Sequence, residues 1–278
     1  MSNKFLKNNR TSNMFFTEYI LRFLRATLYS YKALFAWLEP KIYILTKIVS
    51  PLFQIIFFTY LGSYYIKGSG NLYYIIGNAV QISAISAING VAMTVASERT
   101  EGTLALILGT PANRVRIFVS RSALHIIDGL ITTGIGFLFG YVFLNLSFNN
   151  VNIFLVLCCI FITIFSMSGL GLLIGSFGLA LREVNLLSNL IYYILLVCCG
   201  VNFPVTSLPS LIQKFAYILP LTHGLEAIRK VMIGYDFQQI KILLVEEFFI
   251  GTIYLILGYI FFRILELNSK HAGSIDLY

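Results

Sequence analysis

Long apolar runs dominate the pattern of this chain and alternate with short polar segments. A helix needs about 20 apolar residues, at 1.5 Å each, to cross the hydrocarbon core of a bilayer. Six runs come close to or exceed this length. The predicted spans are Ile42–Leu61, Leu72–Ala96, Phe118–Leu144, Ile153–Leu179, Leu186–Phe203 and Ile242–Leu265. The pattern therefore predicts an all-α polytopic membrane protein with six transmembrane helices.

A helix of another kind is predicted ahead of the first span, over Met14–Glu39. Charged residues return there at three- and four-residue steps on one face, and apolar residues fill the other face. Such a helix lies along the membrane surface, so we expect an amphipathic interfacial helix. A longer first span is the alternative, but Arg22, Arg25 and Lys32 would each be costly in hydrocarbon.

The composition agrees with a membrane protein and excludes a soluble enzyme. The 278 residues are 58% hydrophobic and only 12% charged, against about 25% charged in an average soluble domain. Most Lys and Arg residues fall on the side of the N-terminus, which predicts that both termini are cytoplasmic. The expected domain plan is a cytoplasmic N-terminus with the interfacial helix (1–40), a six-helix transmembrane domain (41–265) and a cytoplasmic tail (266–278).

The cytoplasmic loop between the second and third spans, residues 97–116, differs from the other connections. After several charged residues it contains a short apolar run, Thr103–Leu108, bounded by Gly102 and Gly109. Pro111 suits the first position of the following helix. The run is too short to cross a membrane, so we expect a surface helix covered by a partner's groove or by the membrane interface.

The sequence Glu-Arg-Thr-Glu-Gly-Thr-Leu from Glu98 to Leu104, followed by Thr110-Pro111, resembles the signature loop of the membrane subunits of type-two ABC exporters. That family includes drug, lipid and polysaccharide export permeases, and the resemblance extends over nearly the whole chain. It implies that the loop forms a coupling helix, which docks into a cleft of an ATP-binding subunit. The implied contact residues are Glu98, Arg99, Glu101, Gly102, Thr103, Leu104 and Pro111, with Arg182 and Glu183 of the next cytoplasmic loop as a weaker second contact.

The segment between the fifth and sixth spans, residues 203–235, contains two short amphipathic pieces separated by prolines. In the first piece Leu208, Leu211, Ile212 and Phe215 share a face, and in the second Leu221, Leu225, Ile228 and Met232 do, with Thr222 as a candidate cap and Gly234 as terminator. Each piece is about eleven residues, or roughly 16 Å, so neither crosses the bilayer. We expect a re-entrant helical hairpin packed against the spans. The resemblance implies that it closes the external end of the pathway; a plain loop on the lipid surface is the alternative.

Ionisable and aromatic residues inside the spans are candidates for function. Arg121, His125 and Asp128 share one face of the third span, where we expect them to tether the coupling loop; a proton relay is the alternative. The resemblance implies that the first, second and fifth spans line the pathway, whereas lipid-facing packing is the other interpretation of their aromatic rings. The pathway candidates are Phe57, Tyr60, Tyr73, Tyr192 and Phe203.

Small residues inside the spans predict close packing rather than chemistry. Gly136–Gly140 and Gly171–Gly175 have the GxxxG spacing that allows helices to approach closely. The four cysteines form two adjacent pairs, 158–159 and 198–199, without the spacing of metal ligands. We expect them to act as small buried hydrophobes.

The chain lacks the GxxxxGK[ST] phosphate loop, and no nucleophile, base and acid converge in its sequence. The energy for transport must then come from a partner protein or from an ion gradient. The resemblance implies that the chain is not itself an enzyme, binds no cofactor or metal, and relies on two ATP-binding subunits that hold ATP and Mg. A second permease copy, as a homodimer, is expected because six spans are too few to surround a pathway.

The predicted function is the permease subunit of an ABC exporter in the bacterial plasma (inner) membrane, with a drug, lipid or other amphiphile as cargo. A permease for polysaccharide or teichoic acid, exported as a lipid-linked glycan, is the first alternative. A gradient-driven carrier would instead use Lys47, Asp128 and Glu247. A membrane-embedded enzyme is disfavoured, and no nucleic-acid partner is expected because the basic excess fits anionic lipid.

Overall fold

The chain forms a bundle of long helices, described here from a computed structural model. It describes residues 41–42, 45–65, 70–100, 102–103, 114–149, 151–179, 181 and 183–271. The interfacial helix predicted over Met14–Glu39 lies outside these residues. So do residues 101 and 104–113 of the predicted coupling loop and most of the predicted tail.

Helices account for nearly all of the described structure, and no strand occurs among the described residues, which confirms the all-α class. Two π-helical turns interrupt them: Leu45–Val49 leads into α1, and Ile85–Gly90 joins α2 and α3 into one continuous rod, residues 70–100. The α-helices are α1 (Ser50–Tyr65), α2 (Gly70–Ala84), α3 (Val91–Thr100), α4 (Arg114–Phe143), α5 (Ile153–Ser176), α6 (Val184–Cys198), α7 (Ser210–Ala216), α8 (Thr222–Met232) and α9 (Phe237–His271).

Four stretches among the described residues are long and apolar enough to cross a membrane: Leu72–Arg99, Ser122–Phe143, Ile153–Ser176 and Phe237–Leu267. They correspond to the second, third, fourth and sixth predicted spans. The described parts of the first and fifth, α1 and α6, have 16 and 15 residues, shorter than the roughly 20 residues that a perpendicular span needs. The chain is therefore a membrane protein, and the count of six spans stays a prediction.

The core centres on α5, which packs most extensively against α9 and also contacts α3, α4 and α8. Glycines allow the backbones of α5 and α9 to touch. A Cβ built on Gly169 would lie 2.5 Å from Gly251 O, and one built on Gly251 would lie 2.6 Å from Ser166 Cα. Real Cβ atoms do not approach backbone so closely, so this helix pair depends on both glycines.

The rod formed by α2 and α3 passes between α4 and α5. A Cβ built on Gly136 of α4 would lie 3.1 Å from Ala79 Cα, and one built on Gly175 of α5 would lie 3.0 Å from Ala92 Cα. Both predicted GxxxG pairs therefore lie at helix contacts, as the spacing indicated. The close contacts leave the rod largely buried, although it carries many polar side chains.

Candidate functional site

Four polar side chains form a chain of hydrogen bonds between α1, α2 and α6. Tyr192 Oη donates to Gln54 Oε1 at 2.7 Å, and Gln54 Nε2 donates to Asn78 Oδ1 at 3.2 Å. Asn78 Nδ2 then donates to Oδ1 of Asn202, just beyond α6, at 2.8 Å. We call these residues the polar seam: Gln54, Asn78, Tyr192 and Asn202.

The polar seam has an unused acceptor at its buried side. Gln81, on the rod one turn after Asn78, is fully buried and donates through Nε2 to Tyr192 O at 3.2 Å. Its Oε1 has no hydrogen-bond partner among the described residues. An unpartnered amide oxygen is costly in apolar surroundings, so this position favours the approach of a further donor.

The predicted pathway aromatics fall into two groups. Tyr192 belongs to the polar seam and is 8% exposed, Tyr73 lies one turn before Asn78, and half-buried Phe203 follows Asn202 directly. Phe57 and Tyr60 are 60% and 64% exposed on the outer face of α1. The structure thus places Tyr73, Tyr192 and Phe203 beside the polar residues that link three helices. A role for any of the five in cargo passage stays a prediction.

Replacing Tyr192 by phenylalanine tests the polar seam. We expect Tyr192→Phe to lower the free energy of unfolding by about 1–3 kcal/mol, because Gln54 Oε1 would lose its partner in a part-buried position. Thermal unfolding in detergent would measure the loss. Tyr193→Phe is the matched control, since Tyr193 is 61% exposed. Equal melting of the two variants would contradict a stabilising seam.

Arg229 of α8 joins the start of the rod to the turn after α6. Its Nη1 donates to Gly200 O at 2.7 Å, and its Nη2 donates to Val201 O at 2.9 Å and to Tyr73 O at 3.1 Å. The guanidinium carbon lies 3.4 Å from the ring centroid of Tyr73, a close cation–π contact. Tyr73 Oη donates to the same Gly200 O at 2.7 Å. We call Arg229, Tyr73, Gly200 and Val201 the Arg229 clamp.

Two properties distinguish the Arg229 clamp: its turn requires a glycine, and its guanidinium is largely removed from water. Gly200 has φ +77°, a conformation that residues with a Cβ rarely adopt. Burial lowers the pKa of Arg229 to about 10, partly offset by Tyr73, so the side chain stays charged near neutral pH. The sequence places Arg229 in the predicted amphipathic piece that ends at Met232 and counts it as a charge of the outer segment, but gives no sign of its bonds to the rod.

A carboxylate from α9 holds the other end of α8. Glu247 is fully buried, and its two oxygens accept from Leu221 N at 2.7 Å and from Gly224 N at 3.0 Å. These amides belong to the first turn of α8, where backbone donors lack helical partners. The predicted Thr222 cap is wrong, because Thr222 Oγ1 donates to Ala216 O at 2.6 Å and leaves the amides to Glu247.

The opposite end of the rod holds the described part of the predicted coupling loop. Glu98 is 7% exposed, and Thr103 Oγ1 donates to its backbone oxygen at 3.3 Å and also to its carboxylate. Arg99 Nη1 donates to Gly178 O at 3.3 Å and to Leu181 O at 3.4 Å. Arg99 therefore ties this loop to the segment between α5 and α6.

Several predicted ATP-binding-subunit contacts have a place in the structure, and others do not. Gly102 is exposed with φ +71°, and Glu183 is exposed directly before α6. Buried Glu98 organises the loop from within rather than at its surface. The predicted contacts outside the described residues are Glu101, Leu104, Pro111 and Arg182.

The predicted tether on the third span is partly described. His125 of α4 is 7% exposed and its ring lies where a Cβ on Gly90 would stand, so it packs on the π-helical turn of the rod. Asp128 is half-buried one turn further along, and the Arg121 side chain lies outside the described residues. Whether this cluster tethers the coupling loop stays a prediction.

Comparison with known proteins identifies the family of this chain. The family model for the ABC-2 type transporter matches residues 26–233, most of the chain. The chain belongs to the ABC-2 type transporter family. ABC transporter G family member 20 of Dictyostelium discoideum is 31% identical over 104 residues, which cover 36% of this chain and 14% of that relative. The chain thus spans a small part of the length of that protein.

Membership of the ABC-2 family confirms the resemblance carried by the loop from Glu98 to Leu104. The ABC-2 domain is the transmembrane part of ABC transporters, in which ATP hydrolysis takes place in a separate subunit. Pairing of this chain with an ATP-binding subunit is therefore part of the proposal below. The number of copies and the cargo belong to the proposal below.

Proposed function

We propose that the chain is the permease subunit of an ABC exporter. Two copies surround one pathway, and each docks through residues 97–116 onto an ATP-binding subunit that holds ATP and Mg. The observation that carries the proposal is the family match over residues 26–233. The proposed location is the bacterial plasma membrane, with both termini and the Glu98 end of the rod in the cytoplasm.

The geometry of the rod supports a mechanical role between the two ends. Tyr73 and Arg99 lie near its opposite ends, roughly 40 Å apart along the helix axis. One end carries the Arg229 clamp with the polar seam one turn inward, and the other carries the loop proposed to contact the ATP-binding subunit. Closure of the ATP-binding subunits would push this loop, and the rod would pass the movement to the seam.

Polar and aromatic side chains lie together where α1, α2 and α6 meet. Asn78 and Gln81 are fully buried, so they would meet a cargo only when these helices separate, whereas aromatic rings of α1 and α6 are exposed. We therefore propose a drug, lipid or other amphiphile. A lipid-linked glycan is the second candidate, because Tyr60 and Tyr193 expose rings of the kind that stack on sugars.

A gradient-driven carrier has less support from the described residues. Glu247, one of the groups that such a carrier would use, accepts two backbone amides of α8 with its carboxylate. Release of this carboxylate for ion binding would leave both amides without their partner. The carrier alternative thus requires a local rearrangement at the start of α8.

Co-purification tests the proposed function. A tagged chain, extracted mildly from its native membrane, is expected to bring down an ATP-binding protein. Glu101→Lys is expected to reduce the recovered partner about tenfold, because reversal of the charge at a docking contact costs about 1.4 kcal/mol. The matched control is Asp236→Lys, a charge reversal at exposed Asp236 between α8 and α9.

The outcomes separate the classes of function. Recovery of an ATP-binding protein with wild-type chain and Asp236→Lys, but little with Glu101→Lys, supports docking through the loop. Equal recovery with all three would show that the loop does not carry the contact. Failure of the wild-type chain to bring down any ATP-binding protein would favour a carrier.

A further inference from the structure

Two charged side chains hold α8 at separate points. Glu247 of α9 accepts the amides of Leu221 and Gly224 at the start of the helix. Arg229, about 10 Å further along the axis, donates to backbone oxygens of the rod and of the turn after α6. α8 thus connects the last long helix of the bundle with the end of the rod that adjoins the polar seam.

The polar contacts of α8 would allow it to transmit movement between α9 and the rod, which apolar packing alone would do less well. Its inward face, Leu225, Ile228 and Val231, is almost fully buried and packs within the bundle. Apolar residues of similar volume would fill this space but would leave the backbone amides and carbonyls around α8 without partners. Glu247 and Arg229 instead bond to backbone atoms, and the planar guanidinium fixes three carbonyls in one geometry.

We propose that Glu247 and Arg229 are positioning residues that make α8 a two-point linkage. The linkage passes displacement of α9 to Tyr73 and to the Gly200 turn, next to Asn202 of the polar seam. While both points are intact, α8 stays packed against the turn after α6. The role of this displacement in transport rests on the proposed function, whereas the linkage itself does not.

Cys199 is a native reporter of the closed linkage. It lies beside Gly200 at the end of α6, is 1% exposed, and has its Sγ 3.6 Å from Pro220 O, just before α8. Separation of α8 from the turn after α6 would uncover this thiol. Cys159 is also buried, whereas Cys158 and Cys198 are partly exposed, so the other three must be replaced by serine for a clean signal.

The experiment measures alkylation of Cys199 by N-ethylmaleimide in the full-length Cys158→Ser, Cys159→Ser, Cys198→Ser chain, in liposomes without nucleotide or cargo. Glu247→Gln and Arg229→Met are each expected to raise the alkylation rate about tenfold, because each loses bonds to a charged group. The alkylation rate of Arg229→Lys should lie between that of Arg229→Met and that of the chain without this substitution. Lys230→Met is the matched control, since Lys230 pairs with Glu226 four residues earlier on the same helix.

The double variant separates a linkage from two unrelated structural roles. Two points in series predict that Glu247→Gln with Arg229→Met reacts no faster than the quicker single variant, whereas independent effects would multiply to about a hundredfold. Multiplication, an unchanged rate in both single variants, or an equal rise in Lys230→Met would overturn the inference. If Arg229→Met does not fold, the comparison is made with Arg229→Lys, under the same criteria.

The readout requires neither ATP nor cargo, so its failure is distinct from failure of the proposed function. A closed linkage in a chain that recovers no ATP-binding protein would support the inference and refute the exporter. Recovery of an ATP-binding protein, with Cys199 equally reactive in all variants, would support the exporter and refute the linkage.

Discussion

Replacing Gly251 by valine is expected to prevent most of the protein molecules from folding. A Cβ at this position would stand 2.6 Å from Ser166 Cα and 3.0 Å from Ser166 Cβ, so the backbones of α9 and α5 must separate. Overpacking costs about 1–3 kcal/mol where side chains alone adjust, and more where backbone must move. These two helices share the largest contact in the bundle, so the loss would spread along both.

Yield and thermal unfolding in detergent measure this effect. Gly134→Ala is the matched control, because Gly134 is also helical but nothing lies within 4 Å of a Cβ built there. Alanine favours a helix over glycine by about 1 kcal/mol, so this control should melt at or above the wild-type temperature. Wild-type melting of Gly251→Val would show that α5 and α9 are further apart than described.

Replacing Arg99 by methionine is expected to reduce transport about tenfold while ATP hydrolysis by the assembled transporter continues. Arg99 supplies two charge-assisted hydrogen bonds between the loop after the rod and the segment between α5 and α6. Both are long and partly exposed, so together we assign them about 1.4 kcal/mol, or tenfold. Without them, movement at the loop would reach α5 and α6 only in part.

The measurement compares cargo uptake into inverted vesicles with the rate of ATP hydrolysis in the same vesicles. Arg99→Lys keeps the charge but not the planar fork, so it should lie between wild type and Arg99→Met. Parallel loss of transport and hydrolysis would point instead to a defect in docking. Full transport by Arg99→Met would remove the tie from the mechanism.

Much of the helical framework could be predicted from local pattern. Apolar runs gave the positions of the helices to within a few residues, for example Ile153–Leu179 against α5 at Ile153–Ser176. The amphipathic period gave α8, whose last residue, Met232, agrees with the prediction. The loop from Glu98 to Leu104 indicated the family, which the ABC-2 match confirms. These signals are local, and each depends on residues within about one helix.

The candidate site depended on contacts that local pattern does not contain. Arg229 and Tyr73 are 156 positions apart, and Glu247 caps a helix that begins 25 residues before it. Sequence reasoning placed the α8 cap on Thr222 because a nearby hydroxyl is the usual solution. The buried carboxylate of Glu247 caps the helix instead, because it accepts hydrogen bonds from two backbone amides at once.

The π-helical turn Ile85–Gly90 sets the angular phase between the two ends of the rod. Such a turn amounts to one extra residue in an α-helix, which rotates everything beyond it by about 100°. On the two sides of this turn, Ala79 meets α4 and Ala92 meets α5. The extra residue therefore fixes by how much the contact faces of the two ends differ in direction, and removing it would turn one end against its neighbours.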